Sequence, residues 1–250
     1  MFNLAPIPVP DLSGRTVLVT GAGRGIGAEL VRLLDAQGAR VFAGVFGAAE
    51  ALPASVTVVD LDVTRQADVD AAVALVAREA ERLDVLVNNA GIISPIGPLV
   101  QIPSDALAPA FAVNAIGVHR MTCAALALLR RSKGTIVNAG TGAATTPMEG
   151  WTAYCTSKAA VHMLTRMFQL ELGHEGIAAY FVGIPPTDTA MQAEIRAAGL
   201  NPISQIPKEQ LVATRVPASV LAYMCSAEAR SIDEVLLDVR NDRFKAMMPL

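Results

Sequence analysis

An apolar strand, a glycine-rich turn and a helix follow one another near the start of the chain, and this run limits the fold more than any other feature. Residues 17–27 have the sequence Val-Leu-Val-Thr-Gly-Ala-Gly-Arg-Gly-Ile-Gly. Leu30, Leu33 and Leu34 continue the apolar stripe begun at Ile26, at a spacing typical of a helix packed on a sheet. Glycines let backbone N–H groups approach a pyrophosphate, and the helix adds the positive end of its dipole. The run predicts a dinucleotide cradle, whereas a glycine turn without these flanks would indicate only a tight connection.

Tyr154 and Lys158 stand four positions apart in a predicted helix, and Thr141 lies upstream at the end of a predicted strand. Four residues make about one helical turn, so the phenol and the ammonium project from the same face. There the cation is expected to bring the phenol pKa from about 10 toward neutrality, which suits a general acid or base at a carbonyl. This spacing alone is common on exposed helix faces, so the prediction depends on the cradle.

Two further segments complete the pattern. Residues 84–91 form a strand that ends in Asn-Asn-Ala-Gly, and residues 111–117 place Asn114 in a helical stretch. With the glycine turn, Thr141 and the Tyr-Lys pair, in this order and spacing, they make roughly residues 12–200 resemble the short-chain dehydrogenase/reductase family. Several motifs in register make the resemblance specific for fold and cofactor class, but not for substrate.

The resemblance implies a role for each matching residue. Tyr154 is the implied general acid, Lys158 lowers its pKa and binds the nicotinamide ribose, and Thr141 orients the substrate oxygen. Asn114 matches the asparagine that holds a water in the family's proton relay. The hydride comes from the nicotinamide, so the protein contributes positioning and electrostatics. The implied cofactor-binding residues are Gly21, Arg24, Gly25, Ile26, Gly27, Asp62, Val63, Asn88, Ala90, Gly91, Tyr154, Lys158, Thr187 and Thr189.

The chain departs from the family pattern at three places. Thr141 replaces the usual serine and adds a methyl group, which predicts retained activity with a narrower pocket. Ile184-Pro185 replaces the usual Pro-Gly pair beside the nicotinamide, and the proline removes an N–H and fixes φ. Residues 236–244 lack the glycine-rich final strand that is common in the family.

The coenzyme prediction rests on the end of the second strand, residues 39–46. An NAD enzyme usually carries Asp or Glu there to bind the ribose hydroxyls, but this chain has Val45. Arg24 in the glycine turn is a candidate partner for a 2′-phosphate, with an ordinary surface charge as the alternative. The sequence therefore favours NADP(H) over NAD(H).

The substrate is less constrained. Residues 151–155 and 188–196 are similar to the branch that contains sepiapterin reductases and bacterial benzil reductases, which favours aromatic or vicinal-dicarbonyl substrates. Ordinary packing of Met148, Trp151 and Met191 around an apolar cleft is the alternative. Residues near 188–210 mix small, polar and proline side chains and are expected to close over the substrate as a lid.

The 250 residues suit one α/β domain of Rossmann type, with a doubly wound parallel sheet of six to seven strands flanked by helices. No linker or internal repeat divides the chain. Residues 1–11, with three prolines, are expected to be an extended arm before a catalytic domain at 12–250. The arm has neither the basic start nor the apolar core of a secretory signal.

Composition argues against several other classes of protein. A net charge of −3 without a basic cluster gives no support for nucleic-acid binding. The longest uncharged run, residues 85–104, contains prolines and asparagines and does not indicate a membrane span. Three scattered cysteines and three histidines predict neither a disulfide framework nor a metal site, and fit a reducing cytoplasm. Cys155, beside Tyr154, is interpreted as a small buried filler, with a reactive thiol as the alternative.

The helices expected around residues 104–131 and 151–174 carry many small apolar side chains, which permit close packing between subunits. The resemblance implies that these helices form the main dimer contact, so a homodimer or homotetramer is expected. The small residues are Ala124, Ala125, Ala127, Ala159 and Ala160.

These observations predict an oxidoreductase that transfers a hydride between a nicotinamide cofactor and a small carbonyl or alcohol. Two alternatives stay open at the level of sequence. One is a dinucleotide-sensing or scaffold protein that kept the fold and lost the chemistry. The other is an enzyme of related fold that catalyses epimerisation or dehydration without consuming its cofactor.

Overall fold

Seven parallel strands form one sheet in the order β3-β2-β1-β4-β5-β6-β7 in the computed structural model, which describes residues 3–249. Most of the strands are apolar and buried on both faces, as parallel sheets require. The strands are β1 (Thr16–Thr20), β2 (Arg40–Val45), β3 (Thr57–Asp60), β4 (Val85–Asn88), β5 (Thr135–Thr141), β6 (Ala178–Ile184) and β7 (Leu236–Asp238). The predicted doubly wound sheet of six to seven strands is confirmed.

Helices cover both faces of the sheet. They are α1 (Gly25–Ala36), α2 (Gln66–Ala80), α3 (Ala108–Phe111), α4 (Gly117–Ser132), α5 (Thr152–Leu172), α6 (Ala190–Ala198), α7 (Arg215–Tyr223) and α8 (Asp242–Lys245). Successive side chains of a strand point to opposite faces. Val17 and Val19 thus pack with α1 and α7, whereas Leu18 packs with α2, α4 and α5.

The strand order reverses between β1 and β4, because β2 and β3 lie on one side of β1 and the later strands lie on the other. Ligands of open α/β sheets bind in the crevice outside the carboxyl ends of the strands at such a point. The ends of β1, β4 and β5 carry Thr20, Asn88 and Thr141. The fold therefore brings the sequence-predicted motifs to a single edge.

The helical stretch Ser104–Ser132 differs from the single helix expected at 104–131. A π-helical turn at Ala112–Ile116 separates α3 from α4, and two 3₁₀ turns precede it. This stretch is long and apolar enough to cross a membrane by length and composition alone, but half of its most apolar window is buried in the fold. It packs against β4, β5 and α5 as a core helix.

The N-terminal segment from residue 3 to residue 11 has no regular secondary structure and lies against the domain. Ile7 is buried, and its N–H donates to Oγ of Ser219 in α7 at 2.9 Å. Residues 1 and 2 of the expected arm lie outside the described residues. The described part of the arm therefore contributes to the core beside α7.

Candidate active site

The glycine turn between β1 and α1 is packed so closely that side chains are excluded at two positions. Gly21 has φ of +63°, and a β-carbon there would lie 2.7 Å from Cα of Ala90. A β-carbon at Gly27 would lie 2.1 Å from the carbonyl oxygen of Gly21. The turn thus packs backbone against backbone, in the tight strand-to-helix connection that a pyrophosphate cradle requires.

The end of β4 holds the turn in place through Asn89, a residue that the sequence analysis did not single out. Its side-chain amide donates to the carbonyl oxygens of Thr20 and Gly21 at 3.1 and 3.0 Å. The Thr20 hydroxyl accepts bonds from the N–H groups of Asn89 and Ala90. The predicted cofactor residues Gly21 and Ala90 are therefore brought together across the crevice.

The side chain of Asn88 lies inside the fold. It is buried and donates to Oδ1 of Asn138 on β5 at 2.9 Å, and Asn138 in turn donates to the Thr165 hydroxyl on α5. The side chain of Asn88 thus ties β4 to β5 and, through Asn138, to α5.

The proton-transfer cluster comprises Asn114, Thr141, Tyr154 and Lys158. Tyr154 and Lys158 are buried on α5, and the Lys158 ammonium lies 6.0 Å from the centroid of the Tyr154 ring. Lys158 donates to the carbonyl oxygen of Ala139 on β5 at 2.8 Å, and Thr141, at the end of β5, lies close enough to the Tyr154 hydroxyl to influence its pKa. The structure therefore brings together the hydroxyl, phenol and ammonium that the sequence predicts.

Burial sets the titration of this cluster. It raises the pKa of Tyr154 to about 12, although Thr141 acts in the opposite direction. Burial also lowers the pKa of Lys158 to about 8. The shift of the Tyr154 pKa is therefore opposite to the lowering predicted from Lys158, because burial disfavours the charged phenolate. At neutral pH the phenol carries its proton and Lys158 is mainly charged.

Asn114 sits in the π-helical turn and is fully buried. Its Oδ1 accepts from the N–H of Ile92 at 2.8 Å, and its Nδ2 donates to the Ile92 carbonyl oxygen and to Oγ of Ser157. The side chain thus joins the segment after β4 to α5, one turn from Tyr154. Ser157 is a second member of the site that sequence reasoning missed.

The segment after β6 lies against the glycine turn. A β-carbon at Gly25 would lie 3.5 Å from Cγ2 of Thr189, so this predicted residue adjoins the cradle. The Thr187 hydroxyl donates to the Pro185 carbonyl oxygen at 2.7 Å, and residue 187 pairs with Val212. These bonds hold the segment in place although Ile184-Pro185 replaces the family's usual pair.

Asp62 and Val63, the residues predicted to touch the adenine, follow β3. Oδ1 of Asp62 accepts two bonds from Thr64 and closes a turn. Val63 is buried against Gly117, and its carbonyl oxygen accepts from Arg120 at 2.7 Å. Hydrogen bonds therefore hold both predicted residues in place, and the side chain of Val63 packs against α4.

A second feature of the crevice is an apolar cluster next to the Tyr154 ring. Trp151 meets this ring edge to face at 5.7 Å between centroids, and α6 contributes Met191 and Ile195. Asn201, in the segment after α6, donates to the Glu149 carbonyl oxygen at 2.9 Å. The other apolar members are Ile93, Ile96, Ala143, Met148, Cys155 and Ile203. Residues of the stretch predicted to be a lid thus pack in the same cluster as the phenol ring.

Cys155 belongs to this apolar cluster and is half-buried. Burial raises the pKa of its thiol, which lowers the fraction of reactive thiolate at neutral pH. The geometry supports the interpretation of Cys155 as a filler. Among residues 3–249, no group of three His, Cys, Asp or Glu side chains could hold a metal ion.

The charged turn, comprising Arg24, Arg32 and Glu50, lies at the opposite end of the cradle. Arg24 is exposed and precedes the first residue of α1. The Gly25 N–H donates to Oε1 of Glu50 at 2.9 Å, and Arg32 donates to Oε2 of Glu50 at 2.8 Å. Sequence reasoning did not identify Glu50 as part of the site, because this residue lies in the irregular connection after β2. The only sequence signal for it is its spacing from the glycine turn along the chain.

The comparisons with known proteins agree with this geometry. The sequence model described as short chain dehydrogenase matches residues 15–199. The chain is 30% identical over 237 residues to benzil reductase ((S)-benzoin forming) of Saccharomyces cerevisiae, covering 84% of this chain and 90% of the relative. It is 37% identical over 185 residues to 2,3-dihydro-2,3-dihydroxybenzoate dehydrogenase of Escherichia coli, covering 73% of each chain.

Solved structures show the same similarity. A short-chain dehydrogenase/reductase of Saccharomyces cerevisiae superposes with a TM-score of 0.85 at 25% identity, covering 94% of this chain and 100% of the other. A 3-ketoacyl-(acyl-carrier-protein) reductase of Brucella melitensis, solved with NADH, superposes with a TM-score of 0.81 at 25% identity, covering 93% and 99%. The chain therefore belongs to the short-chain dehydrogenase family and is an NAD(P)-dependent oxidoreductase.

Proposed function

We propose that this protein is an NADP(H)-preferring reductase of a small carbonyl compound, working in reverse as an alcohol dehydrogenase. The buried Tyr154 hydroxyl, beside Thr141 and on the same helix as the buried Lys158 ammonium, is the observation that carries the proposal. Burial holds the phenol in its protonated form at neutral pH, as a group that donates a proton to a carbonyl oxygen must be.

The other members of the proton-transfer cluster have supporting roles in this proposal. Thr141 orients the substrate oxygen through its hydroxyl. Lys158 binds the nicotinamide ribose and keeps a positive charge near the phenol, because a pKa of about 8 leaves it mainly protonated at pH 7. Asn114 holds the backbone at Ile92 and, with the π-helical turn, provides a place for a relay water.

The nicotinamide cofactor supplies the hydride, and the chain supplies a site of fitting shape. The absence of side chains at Gly21 and Gly27, where a β-carbon would collide with neighbouring backbone, supports a tight turn whose N–H groups are proposed to hold the pyrophosphate. Thr187 and Thr189 are proposed to meet the nicotinamide end, and Asp62 and Val63 the adenine end. The remaining proposed cofactor residues are Arg24, Gly25, Ile26, Ala90, Gly91 and the backbone of Asn88.

The apolar cluster beside Tyr154 supports a hydrophobic substrate. Trp151, Met191 and Ile195 surround the phenol, and such a surface favours an aromatic ring over a charged group. The benzil reductase relative acts, by its name, on an aromatic diketone. An aromatic or vicinal-dicarbonyl substrate is therefore the proposed class, with residues 188–210 as its lid.

Exposed apolar side chains on α5 and at the end of the π-helical turn before α4 support a homodimer or homotetramer. Ile116, Met163 and Leu170 have 50%, 50% and 74% of their surface exposed, which is unusual for large apolar residues. A cytoplasmic location is proposed from the cysteine content, with small molecules rather than nucleic acid or a membrane as partners. Light scattering at micromolar protein tests the assembly, and a monomer would contradict it.

The experiment that tests the activity is oxidation of NADPH with a panel of aromatic ketones and diketones. Replacing Tyr154 by Phe removes only the hydroxyl and is expected to lower kcat by at least about 100-fold, because the acid is lost. Binding of NADPH, measured by calorimetry, should change little. Cys155→Ser, a neighbouring substitution outside the proton path, is the matched control.

Equal turnover by the wild type and Tyr154→Phe would remove this phenol from the mechanism. Tight dinucleotide binding without turnover on any carbonyl would favour the dinucleotide-sensing protein instead. Failure to bind either NADPH or NADH, in protein freed of copurified nucleotide, would contradict the proposed activity itself.

A further inference from the structure

The connection after β2 folds back onto the glycine turn and carries Glu50 with it. The Glu50 N–H donates to the carbonyl oxygen of Gly23 at 2.7 Å, and the Glu50 carboxylate accepts from the N–H of Gly25 at 2.9 Å. One residue thus binds the backbone on both sides of Arg24. The carboxylate is held at the N-terminus of α1, where the helix dipole favours a negative charge.

Arg32 fixes the second carboxylate oxygen. It donates to Oε2 of Glu50 at 2.8 Å and to the carbonyl oxygen of Ala51 at 3.1 Å. These bonds lower the pKa of Glu50, with the bond from Arg32 as the largest cause and the bond from Gly25 as the next. The side chain keeps 47% of its surface exposed, so one ordered and solvent-accessible negative charge lies beside the glycine turn at neutral pH.

Dinucleotide-binding folds select their coenzyme near this point. An acidic residue about 20 positions after the glycine motif accepts a bond from the ribose 2′-hydroxyl of NAD, and a nearby arginine accommodates the 2′-phosphate of NADP. Val45, at the end of β2, is apolar and buried and cannot accept such a bond. Glu50 lies 23 positions after Gly27, and the fold brings it to the turn.

We propose that Glu50 is a coenzyme-selecting residue that opposes Arg24. Its carboxylate accepts a hydrogen bond from a ribose hydroxyl of NAD(H) and repels the 2′-phosphate of NADP(H), whereas the Arg24 guanidinium attracts that phosphate. This inference rests on the proposed function, because it concerns the same cofactor site. The balance of the two charges keeps the NADP(H) preference moderate and allows the enzyme to use NADH.

Calorimetric titration with NADPH and with NADH tests this role in the wild type and in Glu50→Gln. The substitution keeps the shape of the side chain and removes its charge. It is expected to raise the preference for NADPH, expressed as the ratio of the NADH and NADPH dissociation constants, about five- to tenfold, as expected for one nearby surface charge. Arg24→Ala should move the same ratio in the opposite direction.

Glu29→Gln is the matched control, because Glu29 also pairs with Arg32, at 3.5 Å, but makes no bond to the glycine turn. It changes net charge equally and should leave the ratio unaltered. An unchanged ratio in Glu50→Gln, or equal weakening of both coenzymes, would overturn the selecting role and leave Glu50 as an anchor of the loop. If the wild type binds neither NADPH nor NADH, the proposed function itself is wrong, and this result is distinct from a failure of the selecting role of Glu50.

Discussion

The two ends of the cofactor cradle are built in opposite ways. The proton-transfer cluster is largely enclosed: Asn114 is fully buried and its side-chain polar atoms are hydrogen-bonded, and Lys158 is 6% exposed. The charged turn lies at the surface, where Glu50 keeps 47% and Arg32 36% of the side chain exposed. The properties of the proton-transfer cluster therefore depend on desolvation and fixed geometry. Those of the charged turn depend on charges that remain in contact with water.

This difference means that substitutions at the two ends should affect different properties of the enzyme. In the buried cluster a lost partner leaves a polar group unpaired, so a change there costs both stability and chemistry. At the exposed turn, solvent screens each charge and a change alters which coenzyme binds, with little effect on folding. Chemistry is thus fixed by the interior, while coenzyme preference can change at the surface.

The largest expected effect comes from the glycine turn that joins the two ends. Replacing Gly27 by Ala puts a methyl group 2.1 Å from the Gly21 carbonyl oxygen, so the turn must move. We expect a loss of about 3 kcal/mol in the free energy of unfolding and no measurable dinucleotide binding. Urea denaturation and calorimetry measure these two quantities.

Gly25→Ala serves as the control for this substitution. Gly25 has φ of +58°, but a β-carbon there meets nothing closer than 3.5 Å, so only backbone strain of about 1 kcal/mol is expected. Equal losses from the two substitutions would mean that backbone conformation, rather than close packing of the turn, limits this part of the fold.

Asn114 tests whether paired polar groups hold the buried end together. Replacing it by Ala leaves the N–H and carbonyl of Ile92 and the Ser157 hydroxyl without this partner, which is expected to cost about 3 kcal/mol in the free energy of unfolding. Ser157→Ala removes one of the three bonds and should cost about 1 kcal/mol. Urea denaturation measures both losses. If Asn114→Ala lowers the free energy of unfolding no more than Ser157→Ala does, the bonds from Asn114 to Ile92 do not stabilise the buried end.

The buried end was more predictable from sequence than the exposed end, and the reason is physical. Tyr154 and Lys158 share one helix, so their spacing alone places them on one face, and Thr141 ends a strand that must reach the same sheet edge. The strand, glycine turn and helix at residues 17–27 are likewise consecutive in the chain, so their relative positions follow from local sequence. Local periodicity, together with the resemblance of the ordered motifs to a known family, was therefore enough to predict the fold and the cluster of hydroxyl, phenol and ammonium.

Contacts between distant segments could not be predicted in this way. The bond between Asn114 and Ile92 joins residues 22 positions apart through a π-helical turn that has no sequence signal here. Asn88 and Asn89 are adjacent amides, and only the fold shows that Asn88 serves the sheet and Asn89 the glycine turn. Glu50 depends on how a loop folds back, which composition does not specify.

The pH dependence of stability that Lys158 causes is the smallest of the effects predicted here. It tests most directly whether the proton-transfer cluster is shielded from water. Its pKa falls from 10.5 to about 8 on folding, because burial disfavours the charged form. Between these values the unfolded chain holds a proton that the native chain has released, so the contribution of Lys158 to stability rises with pH. Below pH 8 both states are protonated, and the cost of burying the charge is present in full.

Lys158→Met removes this titration while keeping an unbranched side chain of similar length. The difference in unfolding free energy between variant and wild type should therefore fall by about 2 kcal/mol from pH 7 to pH 10, as the wild type recovers the cost of its buried charge. Urea denaturation at several pH values measures it. Lys208→Met, at a lysine with 66% of its side chain exposed, should give a difference independent of pH. A flat difference for Lys158→Met as well would mean that water reaches this ammonium, and the enclosed character of the proton-transfer cluster would have to be abandoned.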